Sequence, residues 1–112
     1  MKFCSYDDFL KVEMRIGEVV RAEPFPKARK PAYKLWIDFG EEIGTKKSSA
    51  QITHLYSIEE LVGKRVVAVV NFPPKQVADF MSEVLVLGVD STEGGVTLLR
   101  ADHQAPLGTR VY

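Results

Sequence analysis

The chain has 112 residues, 46% of them apolar and 27% charged, with a formal net charge of +0. That is enough chain for one soluble globular domain and one core, over residues 1–112, and too little for two. No apolar run approaches the roughly 18–20 residues of a membrane span, which excludes membrane insertion by a helix. The opening "MKFCSYDDFLKVEM" puts acids where a signal peptide needs its apolar stretch, which predicts no leader. The single cysteine, Cys4, has no partner within the chain, and a reducing cytoplasm fits it.

In chain order, Ser5 to Asp8 has the spacing of a capping box and predicts a helix from Tyr6 to Lys11. Val12, Met14 and Ile16 alternate with Glu13 and Arg15, a half-buried strand that Gly17 bends or bulges before it continues through Val19 and Val20. "EPFPKARKP" carries three prolines and reads as a loop. Tyr33, Leu35, Ile37 and Phe39 alternate with Lys34, Trp36 and Asp38 as a second strand, ended by Gly40. "EEIGTK" is a hairpin connection and "KKSSAQI" a third, more polar strand. Ser57 to Glu60 repeats the capping-box spacing and opens a short helix that stops at Gly63. "RVVAVVNF" is a fourth strand, buried on both faces or nearly so. "EVLVLGV" is the fifth, "DSTEGG" a turn, and "VTLLRA" and "PLGTRVY" add strand material at the C-terminus.

The neutral total hides a segregated distribution. Nine Lys/Arg against five acids lie between Pro24 and Ala78, so the flanks carry the opposite balance. Such clustering makes a local positive field on a neutral molecule, unless it is the accident of a solvated surface.

Short strands with one helix between the third and fourth predict an all-β protein. The matching form is a five-stranded Greek-key barrel of the oligonucleotide/oligosaccharide-binding type, the OB-fold, with short helices and extra N- and C-terminal segments. Another small barrel or a split α+β sandwich remains as an alternative. In an OB-fold the nucleic acid crosses the face of strands 2 and 3, flanked by the loops joining strands 1–2 and 4–5. Those loops are "AEPFPKARKPAY" and "NFPPKQVADFM", where prolines, aromatics and cations come together. Lys27, Arg29, Lys30 and Lys75 are expected to reach phosphates, and Lys34, Trp36, Lys46, Lys47 and Ser48 to line the face between. The prolines stiffen both loops and lower the entropy lost on binding.

At "YKLWIDFG", "KKSSAQIT", "VVAVVNFPPKQVADFMSEVLVLG" and "PLGTRVY" the chain resembles the tRNA-binding OB domain appended to some methionyl-tRNA synthetases and to cytokine-like synthetase cofactors. It is more closely similar to the stand-alone CsaA branch, described as export-related chaperones with tRNA-binding activity, from about Tyr6 to Tyr112. The resemblance implies a homodimer with the terminal segments in its interface. It also implies tRNA or structured RNA and unfolded or precursor polypeptides as partners. Carried over by motif, it points to Lys34 and Asp38, to Asn71 and Pro74, and to Ser82. Where the RNA-binding relatives usually run Ser, any residue, a small residue, Met, this chain has Ser82-Glu83-Val84-Leu85.

Each of these residues has a plainer reading. Trp36 is a stacking platform or part of a packed surface. Phe72 and Phe80 either plug the barrel end or, exposed with Pro74, Val77 and Met81, form an apolar rim for an extended peptide. Asn71 contacts a base or satisfies backbone groups at its turn. His54 and His103 sit in no catalytic signature, and no Ser, Cys or His spacing suggests nucleophilic chemistry, zinc or any other cofactor. The expectation is a non-catalytic binding protein, its ligand an RNA or, alternatively, a polypeptide held by the rim on the strand 4–5 loop.

Overall fold

In the computed structural model, which describes residues 1–112, polar side chains set where both helices begin. α1 spans Tyr6–Lys11, and the Ser5 hydroxyl accepts from the Asp8 amide (3.1 Å) while the Asp8 carboxylate accepts from the Ser5 amide (3.3 Å). α2 spans Ile58–Leu61 and repeats the arrangement with Ser57 and Glu60. Each pair satisfies two amides that a helix start leaves without partners.

The barrel strands are β1 (Met14–Pro24), β2 (Tyr33–Asp38), β3 (Thr45–Ala50), β4 (Arg65–Val69) and β7 (Leu85–Val86), in the sheet order β3-β2-β1-β4-β7 and antiparallel throughout. β1 serves two neighbours. Met14–Glu18 pairs with β4, and Glu18 onward pairs with β2. Gly17 lies beside the junction of these halves, where side chains on and just after β2 pack too close for any other residue: a Cβ there would stand 2.5 Å from Ile37 Cγ2 and 2.7 Å from Phe39 Cε1. The bulge itself lies three residues later, between Val19 and Arg21, and leaves Val20 and Arg21 both exposed. β1 also runs to Pro24, which pairs with Tyr33, so the first loop is 25–32. A proline is tolerated there because the strand is ending.

Four strands, in two hairpins, fall outside the barrel sheet: β5 (Lys75–Val77) with β6 (Phe80–Ser82), and β8 (Gly88–Asp90) with β9 (Val96–Leu98). The expected fifth strand is therefore split. Only its first part, β7, joins the barrel, and at Gly88 the chain turns to pair with β9.

Ten buried residues form the main core, among them Val19, Leu35, Ile37, Phe39, Leu61 and Val66, all at 1% exposure or less. Burial of each such side chain contributes about 1.5–3 kcal/mol before the entropy of ordering is subtracted. The barrel closes on a seam between β3 and residues 82–84, where side chains complete the pairing. The Glu83 amide donates to the Lys47 carbonyl (2.8 Å), the Glu83 carboxylate accepts from the Lys47 amide (2.9 Å), and the Ser82 hydroxyl accepts from the Ser49 amide (3.0 Å).

Candidate nucleic-acid interface

The two proline-bearing loops meet. Phe25 in the first loop and Phe80 on β6 are 4% and 6% exposed, and their rings contact edge to face at 5.6 Å between centroids. Trp36 on β2 meets the same Phe80 ring at 5.7 Å. With Ala32 these residues make a second, smaller core on the outer face of the barrel. Lys27 Nζ lies 2.9 Å from Asp79 Oδ2 and joins the loop tips. That contact holds the Asp79 carboxyl below its ordinary range and the Lys27 ammonium above its own, the shared hydrogen bond being the largest cause in each.

Cations cover this aromatic cluster. Lys34 Nζ stands 5.0 Å over the Phe25 ring and 5.4 Å over Phe80, and Lys47 Nζ stands 5.2 Å over Phe80. The Arg21 guanidinium lies 4.5 Å over Trp36. Register explains the grouping, since Trp36 is directly opposite both Lys47 and Arg21, and paired residues project from one face. Ring quadrupoles hold the ammonium groups in place while their half-buried side chains keep one side toward solvent. Beside the cluster runs a groove of about 700 Å³ between the 28–32 stretch and the β5–β6 hairpin. Arg29, Lys30 and Lys75 line it, and no acid does. The arrangement sets positive charge over aromatic rings and along an apolar-lined groove, which suits a phosphate-bearing polymer.

A family model described as "Putative tRNA binding domain" matches residues 14–110. The chain belongs to that family. It is similar over 99% of its length to all of the chaperone CsaA from Bacillus anthracis, at 52% identity and a TM-score of 0.92. It is likewise similar over 98% to all of the CsaA chaperone protein from Picrophilus torridus, at 50% identity and a TM-score of 0.92. Over 90% of its residues it is 37% identical to a methionine–tRNA ligase of Methanocaldococcus jannaschii, but it spans only 15% of that ligase's length.

For this member of the tRNA-binding-domain family, the structure sorts the residues singled out from sequence. Arg29, Lys30 and Lys75 are exposed together at the groove, and Lys34 and Lys47 share the outer face. Lys46 does not join them. It pairs opposite Ile37, on the barrel's inner side, because neighbours along a strand project to opposite faces. Ser48 is wholly buried, and its hydroxyl donates to the Val84 carbonyl at 2.9 Å, so no ligand reaches it. Ser82 lines the groove but commits its oxygen to the seam. The Asn71 amide accepts from the Glu13 amide (2.9 Å) and donates to the Lys11 carbonyl (2.7 Å), anchoring the α1–β1 junction. Trp36 is half-buried and packed, against the hairpin rather than a terminal segment.

The expected apolar rim is interrupted, since Phe80 is buried under Lys34 and Lys47 and Val77 is half-buried against it. Phe72, Pro74 and Met81 stay exposed.

Two contributors escape a reading by alternation. Counting in twos from buried Val19 puts Arg21 inside, and only the bulge at Val20 turns it outward onto Trp36. Glu83, which departs from the relatives' usual pattern, caps the Lys47 amide. Its neighbour in the motif is a seam residue too, which the chain's polarity at this position could have signalled.

Proposed function

We propose that this chain is a non-catalytic protein of the CsaA type that binds tRNA or other structured RNA through the outer face of β2 and β3 and the two loops beside it. In this reading it works in the cytoplasm as a homodimer and also shields unfolded precursor polypeptides, an export-related chaperone role. The observation that carries the proposal is the gathering of Lys34, Lys47, Arg29, Lys30 and Lys75 on one side, around an aromatic cluster that both loops share. The family match and the 50% identity to a CsaA chaperone support it. RNA affinity, followed by fluorescence anisotropy across a salt series, is expected to fall steeply as salt rises. Lys30→Glu with Lys47→Glu is expected to weaken it for every RNA sequence. Tight binding indifferent to salt and to both substitutions would overturn the reading.

A peptide-binding reading draws on a separate observation, the exposure of Phe72 (47%) and Met81 (41%) near Pro74. In a light-scattering assay of an unfolded test substrate, Phe72→Ser with Met81→Ser is expected to abolish suppression of aggregation, and RNA affinity by anisotropy is expected to stay intact. Unchanged suppression removes the loop from that role.

A further inference from the structure

Base recognition is absent from the arrangement above, and the aromatic cluster is a poor place for it. Each of its three rings is already engaged: Phe25 and Phe80 are buried against one another, and Trp36 lies between the Phe80 edge and the Arg21 guanidinium. An unpaired base arriving there finds cations in front of every ring, not a bare π-face. The neighbouring groove is different. Its floor is aliphatic, and its volume of about 700 Å³ lies in the range of small-ligand sites, roughly 300–1,000 Å³, and is far too small for a double helix. Charge at its edge is wholly of one sign.

We propose that this groove takes an unpaired nucleotide of the bound RNA, its base against Ala28, Ala32 and Val77 and its phosphates against Arg29, Lys30 and Lys75. The proposal deepens the RNA-binding reading and depends on it. Both walls are fixed before any ligand arrives. One belongs to the first loop, held by the Phe25–Phe80 contact; the other is the β5–β6 hairpin, held by Lys27 to Asp79. At the hairpin's tip Ala78 has φ 52°, the one non-glycine residue of the chain in the left-handed region. A conformation that costs energy for a residue with a Cβ persists where surrounding contacts impose it, and such positions cluster at ligand sites. Gln76 donates its amide nitrogen to the Ala78 carbonyl (3.1 Å), which turns its own side-chain oxygen toward the role of acceptor for a base amino group. Gln51 and Ser49 add further polar groups along the groove. The result is a slot that would hold a base by aliphatic contact and a few hydrogen bonds, tolerant of base identity.

The test uses the full chain and two RNA hairpins with the same stem, one blunt and one carrying an unpaired dinucleotide tail with 2-aminopurine. The tailed hairpin is expected to bind about tenfold tighter, the scale of burying part of one base's apolar surface, and its 2-aminopurine emission to change on binding. Ala28→Leu narrows the slot without altering charge. It is expected to bring the tailed hairpin to the affinity of the blunt one and to leave the blunt hairpin unaffected. The emission change, read on the unaltered protein, decides the matter should that variant fail to fold. Equal affinity for both hairpins with silent emission, while salt-dependent binding persists, overturns the slot and spares the RNA-binding reading. An apolar peptide that shifts the Ala28 and Val77 amide resonances where neither hairpin does overturns the slot and gives the groove to polypeptide.

Discussion

Ser48 and Lys47 are adjacent on β3, yet one is sealed in the core and the other stands over an aromatic ring at the surface. Strand alternation makes that difference, and applied to "KKSSA" it separates Lys46 and Ser48 from Lys47 and Ser49. The polar character of the segment hides this, because a buried serine and a ligand-facing serine look alike in sequence. The Ser48 hydroxyl stabilises the closed barrel by satisfying the Val84 carbonyl inside it. Removing the donor leaves that carbonyl only a long contact from the Ser82 hydroxyl (3.5 Å), so Ser48→Ala is expected to cost about 1–3 kcal/mol in urea unfolding. RNA affinity of the folded variant is expected to stay at the level of the unaltered protein. A neutral stability effect would mean that water takes the place of the hydroxyl.

At the scale of elements, the helices and the first four barrel strands were legible because their signals are local: capping boxes at Ser5 and Ser57, and alternation in "YKLWIDF". The β5–β6 hairpin was not. Its strands are three residues each, and its two-residue turn, Ala78-Asp79, lacks the glycine or asparagine that such turns usually show. What fixes it is tertiary, the seating of Phe80 and the pairing of Asp79 with Lys27. Depression of the Asp79 carboxyl means that this tie is fully present above the ordinary carboxylate range and is lost as pH falls through the lowered value. Lys27, raised, keeps its charge beyond the ordinary lysine range and releases the tie only as pH rises through that higher value. Lys27 is thus spent within the protein at neutral pH, although its sequence context marks it for phosphate. Asp79→Asn frees it. The expected outcome is a salt dependence of RNA binding steeper by about one unit of slope, with an NMR titration of the unaltered protein placing the Asp79 carboxyl below its usual range. An unchanged slope would put Lys27 outside the RNA path.

On the scale of the molecule, α1 is the element that its own chain explains least. It has six residues, none of them buried, and an isolated helix of that length is unstable in water. Around it Met1, Phe3, Tyr6 and Leu10 are exposed, Tyr6 at 70%. The fold nevertheless spends specific contacts on placing it. Asn71 grips its C-terminal end, and Arg110 donates to the Leu10 carbonyl at 2.6 Å. The C-terminal segment that carries Arg110 is itself tied to β1, through the Gly108 amide to Ile16 and the Val111 amide to Met14, both at 2.8 Å. Both chain ends are therefore held at one site with apolar side chains facing solvent, an arrangement that a second copy of the chain would complete. For the proposed homodimer, folding and association are coupled, so the thermal midpoint is expected to rise with protein concentration. Tyr6→Asp with Leu10→Asp, which alters no core residue, is expected to remove that dependence and give a monomer in sedimentation. If the RNA surface spans both subunits, the same variant also loses affinity and salt slope although every groove lysine is intact. A midpoint that is flat with concentration in the unaltered protein, together with a monomer mass, would leave α1 as a surface helix and confine RNA binding to a single barrel.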